Sequence, residues 1–137
     1  MPLDAALVAE TRSWLVKAEK DLRAAEHGLG ASPPLLEDAA FHCQQAIEKS
    51  LKAFLTWYGR PFRKTHNLVE LGMEVVSLDG ALEPLLRRAA PLTEYAWKFR
   101  YPGDPDEPDP QEASAALALA REVFDAATKR LPEDVMP

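Results

Sequence analysis

Apolar residues recur along this chain at spacings of three and four, and almost nowhere at a spacing of two. A helix repeats about every 3.6 residues and a strand every second one, so the pattern predicts helices throughout. From Val8, the series Leu15, Ala18, Leu22, Ala25 and Leu29 marks one side of a first helix, which Gly28 and Gly30 bring to a stop. Ser32-Pro33-Pro34 predicts a restart, with Ser32 as cap and Pro33 as first helical residue. A second helix then runs from Leu35 to Tyr58 and ends at Gly59. Ala40, Cys43, Ile47, Leu51, Phe54 and Tyr58 share one of its sides, and Phe41 and Leu55 widen that arc. So wide an apolar surface predicts a central helix with neighbours on more than one side.

The remaining elements are read in the same way. A short third helix is predicted from His66 to Leu78, capped by Thr65, with Leu68, Leu71 and Val75 inward. Asp79-Gly80 is a turn. A fourth helix, Glu83 to Phe99, carries Leu85, Leu86, Leu92 and Ala96, and Pro91 should kink or split it. Asp109-Pro110-Gln111-Glu112 is a helix start: a cap, a proline at the first position and an acid three residues after the cap. Ala113, Leu117, Ala120, Phe124, Ala127 and Leu131 follow, Pro132 ends that helix, and the last residues are expected to be loose. Four long helices and one short one with short connections predict an all-α, up-and-down bundle. The small residues of the first and last helices are expected to let those two approach closely. The chain reads as a single domain over residues 1–137, with its core at about 5–131.

Composition narrows the function classes. At 137 residues, 47% hydrophobic and 28% charged, this is an ordinary globular chain that needs no disulfide or metal to fold. No apolar run approaches the roughly 20 residues that span a bilayer, so no membrane role is expected. Asp4 and Glu10 and the absence of a hydrophobic leader argue against a signal peptide. The single cysteine, Cys43, is predicted to be a small buried residue, and points to a reducing cytoplasm. A net charge of −6 argues against nonspecific coating of nucleic acid. Scarce asparagine and frequent proline fit a thermophile or a GC-rich genome.

The polar chemistry concentrates in the second helix and the connector after it. Asp38, His42, Gln45, Lys49, Lys52 and Thr56 share one face. That face reads either as solvated, with Glu48 and Lys52 as an i,i+4 ion pair, or as a polar groove for a ligand's phosphate or base. Arg60, Arg63, Lys64 and His66 form the densest cationic cluster. They read as a phosphate site, or as the partners of the acidic stretch Asp104, Asp106, Glu107 and Asp109. His66 is a base, a hydrogen-bonding anchor or a structural tie. Arg100 either satisfies helix-end carbonyls or reaches a phosphate. The three histidines have no metal-ligand spacing, so neither a metal nor another cofactor is expected.

Phe41-His42-x-Gln44-Gln45-Ala46-x-Glu48-Lys49-x-x-Lys52-Ala53, then Lys64-Thr65-His66-Asn67-Leu68, then Arg100-Tyr101-Pro102, resembles the HEPN domain family. The resemblance spans about Trp14 to Leu131. It implies a five-helix bundle with an up-and-down four-helix core, a homodimer, and pairing with a minimal nucleotidyltransferase in a two-component system of the toxin–antitoxin type. Many members are metal-independent ribonucleases marked by an arginine, four to six residues, then a histidine. Here Arg100 is followed by Tyr101 to Glu107 with no histidine, so the activity is not carried over. The expectation is a non-catalytic module that binds a nucleotide or phosphate ligand through His42, Gln45, Lys49, Lys64, His66 and Arg100. The alternatives are a divergent ribonuclease toxin using Arg100 with His66 or His42 on RNA, and a structural adaptor.

Overall fold

The computed structural model describes residues 3–103 and 107–137. Its α-helices are α1 (Ala5–Gly30), α2 (Leu36–Trp57), α3 (Leu68–Leu78), α4 (Glu83–Ala89) and α5 (Pro110–Thr128). Short 3-10 turns cover Gly80–Leu82, Ala90–Ala96 and Glu133–Val135, and no strand occurs among the described residues. The all-α fold and the five-helix count follow the periodicity.

The boundaries show where local chemistry decided. α1 begins at Ala5, ahead of Val8, because the Asp4 carboxylate accepts from the amides of Ala6 (2.9 Å) and Leu7 (3.3 Å). Ser32 and Pro33 do not open α2. Pro33 precedes Pro34, and a residue before proline is pushed out of the α region, so the helix starts after the pair at Leu36. The two helices meet closely at this corner: a Cβ on Gly28 would lie 3.3 Å from the Leu35 carbonyl oxygen and 3.4 Å from Ala39 Cβ. Asn67, not Thr65, caps α3, accepting from Val69 N at 2.9 Å and Glu70 N at 3.3 Å. Thr65 accepts instead from Asn67 N (3.0 Å). Pro91 splits the fourth element. It has no N–H to give to the carbonyl four residues back, so the α-helix ends at Ala89 and continues as the tighter 3-10 turn. The bundle therefore has three long helices and two short ones. Asp109 caps α5 as read, accepting from Gln111 N (2.7 Å). Glu112 accepts from the Tyr95 hydroxyl.

α2 is the central helix, packed against α1, α3 and α5, and 15 of its 22 residues are buried. The main core gathers Cys43, Ile47, Leu51, Phe54, Leu71 and Leu86 with neighbours from α5. A second, smaller core joins Leu15 and Ala53 to Leu131 and Val135. The C-terminal residues are thus packed rather than loose: Val135 is fully buried, and Arg12 donates to the Asp134 carbonyl. Ala18 and Ala25 of α1 and Ala113, Ala120 and Ala127 of α5 are buried, but each of those helices packs mainly on α2 and only secondarily on the other.

Candidate functional site

The polar face of α2 is only partly solvated. Gln44, Gln45, Glu48 and Lys52 are all buried, covered by α1 and by the connector that follows α2. Two buried carboxylates organise it. Glu48 accepts from Lys52 Nζ (2.9 Å), His66 Nδ1 (2.7 Å), Gln44 Nε2 (3.2 Å) and Gln45 Nε2 (3.3 Å). Gln44 Nε2 also donates to the His66 carbonyl (3.0 Å), and Gln44 Oε1 accepts from Gln45 (2.6 Å). The Lys52 ammonium lies over the rings of Trp14 and Phe62, 5.4 and 5.7 Å from their centroids. Ring faces are electron-rich, so the cation is answered on several sides without water.

The second carboxylate, Asp21, reaches across from α1. Its Oδ1 lies 2.8 Å from His42 Nδ1 and its Oδ2 accepts from Lys49 Nζ at 2.7 Å. Beyond His42 the arrangement loosens. Asp38 stands 3.7 Å from His42 Nε2 and 4.0 Å from Arg100 Nη1, both beyond hydrogen-bond distance. The Arg100 guanidinium lies over the Phe41 ring, 3.8 Å from its centroid. It follows Phe99, whose φ of 67° is a left-handed conformation uncommon outside glycine.

The six predicted residues therefore divide. His42 and Lys49 meet at Asp21, Gln45 and His66 meet at Glu48, and Arg100 joins the His42 end through Asp38. Lys64 is exposed and is drawn into neither cluster. The rest of the basic connector is spent on α3. Arg60 donates to Glu74 (2.9 Å) and Ser77 (3.1 Å), and Arg63 to Glu70 (2.6 Å). That hydrogen bond, more than the charge, raises the Arg63 pKa and lowers that of Glu70. Among the described residues these acids, rather than Glu107 and Asp109, hold the two arginines; Asp104 and Asp106 lie outside the described residues.

Sequence reasoning missed Asp21 and Gln44, and took Glu48 for half of a surface pair. Asp21 did leave a signal: it falls between Ala18 and Ala25 on the apolar side of α1, where a carboxylate needs a partner. Cys43 is buried and its thiol is pushed up to about 12, chiefly by desolvation, so it carries no chemistry. Among the described residues no group of three His, Cys, Asp or Glu side chains could hold a metal ion. No described helix is long and apolar enough to cross a membrane. An open apolar groove of about 430 Å³ between α3 and α4, lined by Leu68, Met73 and Leu86 among others, includes none of the six residues.

A family model described as HEPN domain matches residues 11–131, nearly the whole bundle. The chain belongs to the HEPN domain family. The HEPN domain is also similar to a solved structure, that of TT1696 from Thermus thermophilus, at 30% identity and a TM-score of 0.73. That likeness covers 88% of this chain and 98% of the other. No curated protein matches it. Within this HEPN domain no histidine follows Arg100 in the sequence. The imidazole that shares a carboxylate with Arg100 is that of His42, from α2, whereas His66 is tied to Glu48.

Proposed function

We propose that this HEPN domain is a non-catalytic binding module that takes a nucleotide or another phosphate-containing ligand beside Asp38. One observation carries the reading. His42 Nε2 and Arg100 Nη1 both face the half-exposed Asp38 carboxylate from 3.7 and 4.0 Å, close enough for attraction and too far for a hydrogen bond. A phosphate oxygen that displaces the Asp38 carboxylate there would bring more charge and take a direct hydrogen bond from Arg100, with the imidazole of His42 beside it. Stacking on Phe41 already restricts the guanidinium, which lowers the entropy lost on binding. Lys49 adds charge: Asp21 occupies one of the three donors of its ammonium. Gln45 and His66 shape the neighbouring wall through Glu48, and Lys64, two residues before His66, adds an exposed cation to the connector.

Millimolar ATP should raise the unfolding temperature of the protein. Arg100→Ala and Lys49→Ala should abolish the rise; an unchanged melting curve with every nucleotide tried would discard the reading. The pairing of His42 with Arg100 also favours a second reading, a divergent metal-independent ribonuclease. It predicts RNA cleavage in chelator that Arg100→Ala and His42→Ala remove, and RNA left intact after long incubation would end it. Family membership supports the remaining parts of the proposal: a homodimer, and a nucleotidyltransferase partner in a two-component system of the toxin–antitoxin type in the cytoplasm. Co-expression with the adjacent reading frame tests the pairing, and elution of the protein without that partner would count against it.

A further inference from the structure

The strongest unassigned feature is the buried carboxylate that stands behind this site. Asp21 is 6% exposed and belongs to α1, not to the helix that carries the ligand-facing groups. Ala18 and Ala25, one turn to either side, are fully buried and bring α1 near enough for a short aspartate to reach α2. A carboxylate only accepts, so the 2.8 Å contact requires the proton of His42 on Nδ1. In neutral imidazole that leaves a lone pair on Nε2, the atom turned towards Asp38, the carboxylate that Arg100 also faces. Histidine in water prefers its proton on Nε2, so this tautomer is the one a partner has to impose. The other oxygen of Asp21 holds Lys49 at 2.7 Å, which places an ammonium beside the oriented ring.

We propose that Asp21 is the positioning residue of the site, fixing the tautomer of His42 and the location of Lys49 while touching no ligand itself. This rests on the ligand-binding reading only for its consequence for affinity. A ring presented this way accepts a hydrogen bond next to a guanidinium. The favoured ligand is therefore a phosphate compound that also presents a hydroxyl or amino donor beside its anionic oxygens, as a nucleotide does.

The test is nitrogen NMR on protein labelled with ¹⁵N-histidine, recorded about two pH units above the ordinary imidazole value of about 6.5. In the parent protein His42 should populate the Nδ1–H form over the other by about tenfold or more, as a charge-assisted hydrogen bond warrants. Asp21→Asn offers one acceptor oxygen to two donors and should shift His42 towards Nε2–H. Lys49→Met keeps the Asp21–His42 contact and should leave the tautomer unchanged. If His42 of the parent carries its proton on Nε2, the inference falls, and this holds even if Asp21→Asn does not fold. It falls equally if a folded Asp21→Asn keeps the parent tautomer. ATP added to the same samples should shift the His42 signals, and Asp21→Asn should weaken ATP binding about tenfold or more. If ATP leaves the His42 signals unmoved, the ligand reading fails and the placement of Asp21 stands on the tautomer alone.

Discussion

Replacing Glu48 by leucine, which fills a similar volume, removes the acceptor shared by four donors. Three of these lose little. His66 has 65% of its side chain in solvent and can turn to water. Gln44 keeps the His66 carbonyl, and Gln45 keeps Gln44 Oε1. Lys52 is different: only 6% of its side chain is exposed, and among the described residues Glu48 is its one carboxylate. Breaking a buried ion pair by deleting one partner costs about 3–5 kcal/mol. The faces of Trp14 and Phe62 remain and return about 1 kcal/mol. Glu48→Leu should therefore destabilise the domain by about 3 kcal/mol. With a slope of about 2 kcal/mol per molar, the urea midpoint should fall by about 1.5 M. The double variant Glu48→Leu/Lys52→Met removes the stranded charge with its partner, and should return to within about 1 kcal/mol of the parent. Equilibrium unfolding of both variants and of Lys52→Met completes the cycle. A loss below about 1 kcal/mol for Glu48→Leu, or a double variant as unstable as the single, would refute the reasoning, because the lysine would then not depend on this carboxylate.

Other features give simpler outcomes. Val135→Ala should lower stability by about 1–2 kcal/mol in thermal unfolding, because it hollows the second core at a fully buried position; a change below about 0.5 kcal/mol would mean that the C-terminal turn frays in solution. Burial, and then the hydrogen bond to Glu112, raises the phenol of Tyr95 well above its usual range. Folding therefore favours the protonated phenol. That contribution is complete below about pH 10 and is lost as pH rises towards the folded-state value. Tyr95→Phe should flatten the fall in stability above about pH 10, and an unchanged slope would show that Tyr95 titrates normally. Cys43 should resist thiol reagents in the native protein at pH 8 and react at the rate of unfolding; prompt labelling would contradict its burial.

The fold was legible because α1, α2 and α5 carry long, regular apolar series, and because Asp109-Pro110 states a helix start in chemical terms any backbone obeys. The start of α2 was misread because the restriction that Pro34 places on Pro33 outweighs the capping tendency of Ser32. The polar face of α2 was found, but its surroundings were not. Nothing local to Gln45, Glu48 or Lys52 says that Trp14, Phe62 and His66 will cover them, since those residues come from other parts of the chain. For the same reason Arg60 and Arg63 read as a phosphate site or as partners of the acidic loop until α3 presented Glu74 and Glu70. Val135 escaped notice because the stretch from Glu133 to Met136 is too short to show any period.

The contact between α1 and α2 also settles an alignment problem. Alanines at 18, 25, 39 and 46 give both helices smooth flanks, and smooth flanks tolerate sliding. A shift of seven residues, two turns or about 10.5 Å, would trade methyl against methyl at little expense. It would also drag Asp21 away from both its imidazole and its ammonium and leave a naked anion against hydrocarbon, a penalty of several kcal/mol. The acid thus serves as a locating pin: grease lets the rods approach, and a single charge says where they stop.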